Sequence, residues 1–219
     1  MSDLLSCVEI GSGDSTHSII WLHGLGADGH DFEPIVDELT LTRNIRFIFP
    51  HAPSMPVTIN NGLTMPAWYD IKAAQIDNQQ DDVGIKKSQQ SILALIEREI
   101  ERGVNSTNII LAGFSQGGAI ALHTGLRFDK PLAGIMALST YVPLMETVEN
   151  EMNEANKNTP ILVAHGKYDQ IIPLSLALQS NAFLNNLNYS TEFNQYEMEH
   201  SVCPEEIDKI SDWINQCFN

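Results

Sequence analysis

Apolar and polar positions along the chain fall into two alternating rhythms. Candidate strands stand at residues 18–23, 45–50, 108–113, 132–139, 160–165 and 189–196, and several of them are continuous apolar runs. Unbroken apolar runs of this length fit strands covered on both faces. Between them, helical patterns occupy 31–39, 83–102, 116–128, 174–185 and 205–217. The second of these puts Ile85, Ile92, Ile96 and Ile100 on one stripe, with Gly103 placed to end it. Pro204 stands where the last helix would begin, a position that tolerates the missing N–H. Strands alternating with helices predict an α/β fold, a mostly parallel, doubly wound sheet with helices on both faces.

The stretch 51–82 breaks the rhythm. It holds Pro53, Pro56 and Pro66 and a polar run from Asp77 to Asp82, without clear periodicity. Loops after the C-terminal ends of strands line the ligand crevice of such sheets, and long ones are commonly functional. This segment is therefore expected to form a wall or partial lid of the site, the competing reading being a passive excursion.

Composition narrows the picture. A chain of 219 residues that is 43% hydrophobic can bury one sizeable core, so residues 1–219 are expected to form a single domain. Twelve Lys and Arg against 28 Asp and Glu give a net charge of −16, which repels nucleic acid and anionic membrane surfaces alike. No apolar run is long enough for a signal peptide or for stable membrane insertion, so a cytoplasmic protein is expected. Cys7, Cys203 and Cys217 fit no metal-binding spacing and read as free thiols.

The sharpest chemical signal is Gly113-Phe114-Ser115-Gln116-Gly117-Gly118, directly after an apolar strand and before a helix. This is a GxSxG elbow, whose small residues let the chain turn sharply and present the serine at a strand end. A serine needs a base, and the base needs an orienting acid; in this architecture they follow in the order Ser, acid, His. Asp169, after the strand at 160–165, and His200, between the last strand and the last helix, fill those places. His165 still belongs to its strand, which suits packing or orienting the Asp169 loop. Backbone N–H groups must face the charge that develops on a carbonyl oxygen. The early glycine loop His23-Gly24-Leu25-Gly26 and the residue after the nucleophile supply them, which assigns Leu25 and Gln116. A phosphate-cradling loop is the rival reading, but no Walker lysine is present.

These stretches, with Trp68-Tyr69-Asp70-Ile71, Asp82-Val83-Gly84-Ile85, Leu138-Ser139-Thr140-Tyr141-Val142-Pro143 and Met198-Glu199-His200-Ser201, resemble the phospholipase/carboxylesterase family over nearly the whole chain. The resemblance implies a small α/β-hydrolase fold without a large cap domain. It also implies Ser115, Asp169 and His200 as triad and Leu25 and Gln116 as oxyanion donors. The expected substrates are small acyl esters, thioesters or lysophospholipids, cleaved without metal or cofactor. The family includes dimers, so a homodimer is an expected assembly. Trp68, Ile76 and Tyr141 are candidates to hold an acyl chain, against the alternative that they simply pack. Two positions depart from the family pattern. Glu197 stands where a glycine is usual, and Gln170-Ile171 follows the acid. The competing function is a non-catalytic acyl-binding or interaction protein on a hydrolase scaffold, which retention of serine, acid, histidine and both glycine loops argues against.

Overall fold

The computed structural model describes residues 4–73 and 79–219. Its strands are β1 (Cys7–Ile10), β2 (His17–Leu22), β3 (Ile45–Pro50), β4 (Ser54–Val57), β5 (Leu63–Pro66), β6 (Ile109–Phe114), β7 (Gly134–Leu138), β8 (Ile161–Gly166) and β9 (Thr191–Tyr196). The helices are α1 (Asp82–Glu101), α2 (Gln116–Gly125), α3 (Met145–Glu151), α4 (Leu174–Asn186) and α5 (Pro204–Cys217). Seven strands form one sheet in the order β1-β3-β2-β6-β7-β8-β9, with β1 antiparallel to β3 and every other pair parallel.

Alternation along the central strands divides the core into two layers. Ile20 and Leu22 of β2 face a layer with Ile85, Ile92 and Ile96 of α1, Ile120 of α2 and Leu184 of α4. Ile19 and Trp21 face the opposite layer, with Phe47 and Phe49 of β3 and Ile210, Trp213 and Ile214 of α5. The successive side chains of a strand point to opposite faces, so strands covered on both sides must be apolar throughout. The fold is that of an α/β-hydrolase without a large cap. Each of the ten residues of α2 is buried, so the helix that follows Ser115 is fixed within the core.

The structure departs from the sequence pattern in four places. The edge strand β1 was not expected, nor was α3. The helical pattern at 31–39 becomes a short 3-10 turn, Glu33–Asp37. The 51–82 segment contains an ordered antiparallel hairpin, β4 with β5, joined through a 3-10 turn at Thr58–Asn60. Its prolines are tolerated because a two-stranded ribbon has outer edges that need no N–H.

Candidate active site

Ser115 stands between β6 and α2 with φ 55° and ψ −120°. This left-handed backbone costs a non-glycine residue about 1–3 kcal/mol and persists only where the surroundings impose it. Here β6 and the buried α2 impose it. A Cβ on Gly113 would overlap the carbonyl of Gly117, and one on Gly117 would overlap that of Leu22, so both flanking positions require glycine. The elbow is tied down further: Ser115 N–H donates to Leu138 O at 2.9 Å, and Thr140 Oγ1 donates to Ser115 O at 2.6 Å.

His200 comes from the loop between β9 and α5. Its Nε2 lies 2.9 Å from Ser115 Oγ and its Nδ1 2.6 Å from Asp169 Oδ2. A carboxylate only accepts, so Nδ1 carries the proton and Nε2 is left to receive one from the serine. Phe114 lies against the imidazole, with ring centroids 4.7 Å apart. Asp169, in the turn after β8, also accepts at Oδ1 from the N–H groups of Ile171 (2.9 Å) and Ile172 (2.8 Å). Burial alone would raise its pKa, but the bonds from His200, Ile172 and Ile171 prevail and hold it below the usual carboxylate range.

The glycine loop after β2 is braced from several sides. His23 Nδ1 lies 2.7 Å from Gly24 O and its Nε2 accepts from Ala52 N–H at 3.1 Å. The Trp68 indole N–H donates to His23 O at 2.9 Å, and Gly26 N–H to Pro66 O at 2.9 Å. A Cβ on Gly24 would sit 3.5 Å from Ser115 Cβ, which places the loop holding Leu25 directly against the serine. Gln116 opens α2, and its side chain reaches the 67–69 segment, accepting from Trp68 N–H and donating to Tyr69 O.

Ser115, Asp169 and His200 are brought within hydrogen-bond reach, with Leu25 and Gln116 on the chain segments flanking the serine. Trp68 is 2% exposed, with its indole N–H on the glycine loop. Tyr141 is 3% exposed, its hydroxyl 2.9 Å from that of Tyr69. With Val142, Met145 and Leu176 it also lines a cavity of about 200 Å³. Ile76 lies outside the described residues. Glu197 points outward and binds both Lys167 and Tyr168 of the acid turn. Three further side chains support the site without a motif of their own: the His23 ring, the Gln116 side chain and Ser88, whose hydroxyl donates to Trp68 O. The first two adjoin residues already singled out, which was the available signal; Ser88 carries none. No group of three or more His, Cys, Asp or Glu able to hold a metal ion occurs among the described residues.

Residues 5–218 match the family described as Phospholipase/Carboxylesterase. The chain is 39% identical over 214 residues to acyl-protein thioesterase 1 of Neurospora crassa, covering 92% of this chain and 86% of that protein. It is 38% identical over 208 residues to acyl-protein thioesterase 1 of Yarrowia lipolytica, covering 92% of each. Among solved structures, it superposes on Arabidopsis thaliana SOBER1 with a TM-score of 0.88 at 33% identity, over 93% of this chain and 99% of that one. Acyl-protein thioesterase 2 of Zea mays gives a TM-score of 0.86 at 26% identity, over 98% and 99%.

Proposed function

Because the chain belongs to the phospholipase/carboxylesterase family, a family of serine-hydrolase enzymes acting on small esters, we propose that it cleaves acyl esters and thioesters through a covalent serine intermediate. The observation that carries this reading is the single imidazole of His200, hydrogen-bonded to Ser115 Oγ on one side and Asp169 Oδ2 on the other.

The steps follow from that arrangement. His200 Nε2 takes the hydroxyl proton as Ser115 Oγ attacks the acyl carbon, and Asp169 stabilises the imidazolium that forms. The carbonyl oxygen becomes an oxyanion, received by the backbone N–H groups of Leu25 and Gln116. His200 returns its proton to the departing alcohol or thiol. A water then attacks the acyl-enzyme with His200 again as base, releasing the acid and restoring Ser115. None of these steps calls for a metal or organic cofactor.

The thioester reading draws on the names of the relatives, acyl-protein thioesterases. The candidate place for the acyl chain is the cavity beside Tyr141, whose walls are apolar at Val142, Met145 and Leu176 and polar at Gln80, Glu146 and Gln179. Fluorophosphonate labelling tests the core of the proposal, since the probe reacts with an activated serine. The wild-type chain takes up the label and folded Ser115→Ala does not; equal labelling of both overturns the assignment. Rates on p-nitrophenyl esters of two to sixteen carbons, beside matched thioesters, define the substrate. A preference confined to the shortest chains removes the acyl cavity from the reading.

A further inference from the structure

The Oδ2 oxygen of Asp169 faces two imidazoles. His200 Nδ1 is 2.6 Å away and His165 Nε2 3.5 Å. His165 is wholly buried in β8, and its Nε2 lies 2.8 Å from the carbonyl oxygen of Ile172. A carbonyl can only accept, so Nε2 carries the proton. Nδ1 is buried without a hydrogen-bond partner and offers no acceptor for a second one. Burial lowers the pKa of this ring, against weaker opposition from the Ile172 carbonyl and Asp169, so it remains neutral.

Ile172 is thereby gripped at both ends of its backbone. Its N–H donates to Asp169 Oδ1 at 2.8 Å, and its carbonyl accepts from His165. Asp169, Ile172 and His165 form a short hydrogen-bonded chain behind the catalytic pair. At 3.5 Å the direct approach of His165 to Oδ2 is too long for a strong hydrogen bond. Its influence on Asp169 therefore runs mainly through the turn.

We propose that His165 is a positioning residue of the reaction, whose Nε2–H pins the Asp169–Ile172 turn through the Ile172 carbonyl and so aims Asp169 Oδ2 at His200. This rests on the reading of Ser115, His200 and Asp169 as the reacting set. His165 itself touches neither the serine nor the substrate. A turn released from its anchor lets the carboxylate swing, and small misplacements of an active group carry large rate penalties.

The test compares the full chain as wild type, His165→Ala and His165→Gln, with Ser115→Ala as blank. Three quantities are read: kcat and KM on a p-nitrophenyl ester, the rate of fluorophosphonate labelling, and the low-field proton resonance of the His200–Asp169 hydrogen bond. His165→Ala is expected to lower kcat and labelling about 10- to 100-fold with KM unchanged, and to shift or broaden the low-field resonance. Glutamine, whose amide nitrogen reaches the place of imidazole Nε2, is expected to recover most of the rate and the resonance. An alanine variant that melts earlier yet keeps the wild-type kcat and resonance overturns the proposal, leaving His165 a packing residue. Should the alanine variant not fold, His165→Asn replaces it, since its shorter amide falls short of Ile172; the same readouts then decide. Failure of the triad reading looks different, because the wild-type chain itself then takes up no label.

Discussion

Gln116 holds Trp68 by its backbone rather than by its ring. The amide oxygen accepts the Trp68 N–H at 2.8 Å while the amide nitrogen donates to Tyr69 O at 2.7 Å, a two-bond pairing that is 2% exposed at Gln116. The residue whose backbone N–H is assigned to the oxyanion thus also anchors the segment that braces the glycine loop through Trp68. On the proposed assignment, the two halves of the oxyanion site are braced by a single side chain.

Replacing Gln116 by Ala is therefore expected to harm both stability and rate, although its backbone N–H remains. Two buried main-chain groups lose their partners, each costing about 1–3 kcal/mol. Thermal unfolding should show a clear drop in Tm, and ester turnover a fall in kcat larger than any change in KM. Gln116→Glu is expected to be milder in shape but to lose the donor to Tyr69 O. An alanine variant with wild-type kcat would separate this anchor from the oxyanion site.

Asp169→Asn offers a sharper test of the acid. The amide keeps the size of the carboxylate, but its nitrogen can donate and so no longer dictates which imidazole nitrogen of His200 carries the proton. Turnover is expected to fall by roughly 10⁴, the loss that follows when an orienting acid no longer fixes the tautomer. Folding should be little affected, because Oδ1 can still accept from Ile171 and Ile172. Steady-state kinetics beside a melting curve separates the two effects. A loss below tenfold would show that another group orients His200.

The sequence reached some of this and not the rest, for physical reasons. Central strands were legible because burial on both faces makes them apolar at every position, as in Ile109–Phe114. The edge strand Cys7–Ile10 is half-buried and contains Glu9, so it carries no such signal. The hairpin at β4 and β5 was masked by Pro53, Pro56 and Pro66, although Asn61 and Gly62, at φ 55° and 74°, form the kind of turn an Asn-Gly pair announces. Glu33–Asp37 has helix-like residues but only one turn of them. Ser115, Asp169 and His200 could be proposed because each follows a strand end. The Gln116 to Trp68 pairing spans 48 residues through a side chain with no motif, and only the folded chain brings it together.

Glu206 gives a prediction about alkaline pH. It is wholly buried in the first turn of α5, and neither carboxyl oxygen has a well-formed hydrogen bond. Burial pushes its pKa up to about 8, against a smaller pull from the Cys203 backbone N–H. In the unfolded chain the group titrates near its ordinary 4.5. Between those values the unfolded chain is ionised and the folded one neutral, so stability is complete below the lower value and declines as the pH rises toward the upper. Its neighbours Tyr196 and Cys203 both have raised values, Tyr196 about 12, so neither charges first. Glu206→Gln removes this decline. Its gain in unfolding free energy relative to wild type, followed by denaturation at each pH, should widen from pH 5 to pH 8 and then level off, a change on the order of a few kcal/mol. A gap that stays constant across that range would show that Glu206 is ionised in the folded chain at pH 5.

Arg46 and Glu99 give the largest expected effect away from the site. The guanidinium is 2.7 Å from Glu99 Oε2, which also accepts from Ser18 Oγ at 2.8 Å, and the Glu99 side chain has no exposure. These contacts join the starts of β2 and β3 to the end of α1. Removing one partner of a buried pair strands the other charge and costs about 3–5 kcal/mol. Arg46→Met should fall at the lower end, because Glu99 Oε1 keeps Arg102 at 3.0 Å and Arg98 at 3.3 Å. Removing both charges, as in Arg46→Met with Glu99→Leu, should be less harmful than Arg46→Met alone. Arg98 and Arg102 would still hold Glu9, at 2.9 and 2.8 Å. Chemical denaturation of the two variants measures the difference directly. If the double variant is the less stable of the two, Glu99 stabilises the fold even without Arg46, through Ser18, Arg98 and Arg102, and is an anchor of α1 rather than a compensated charge.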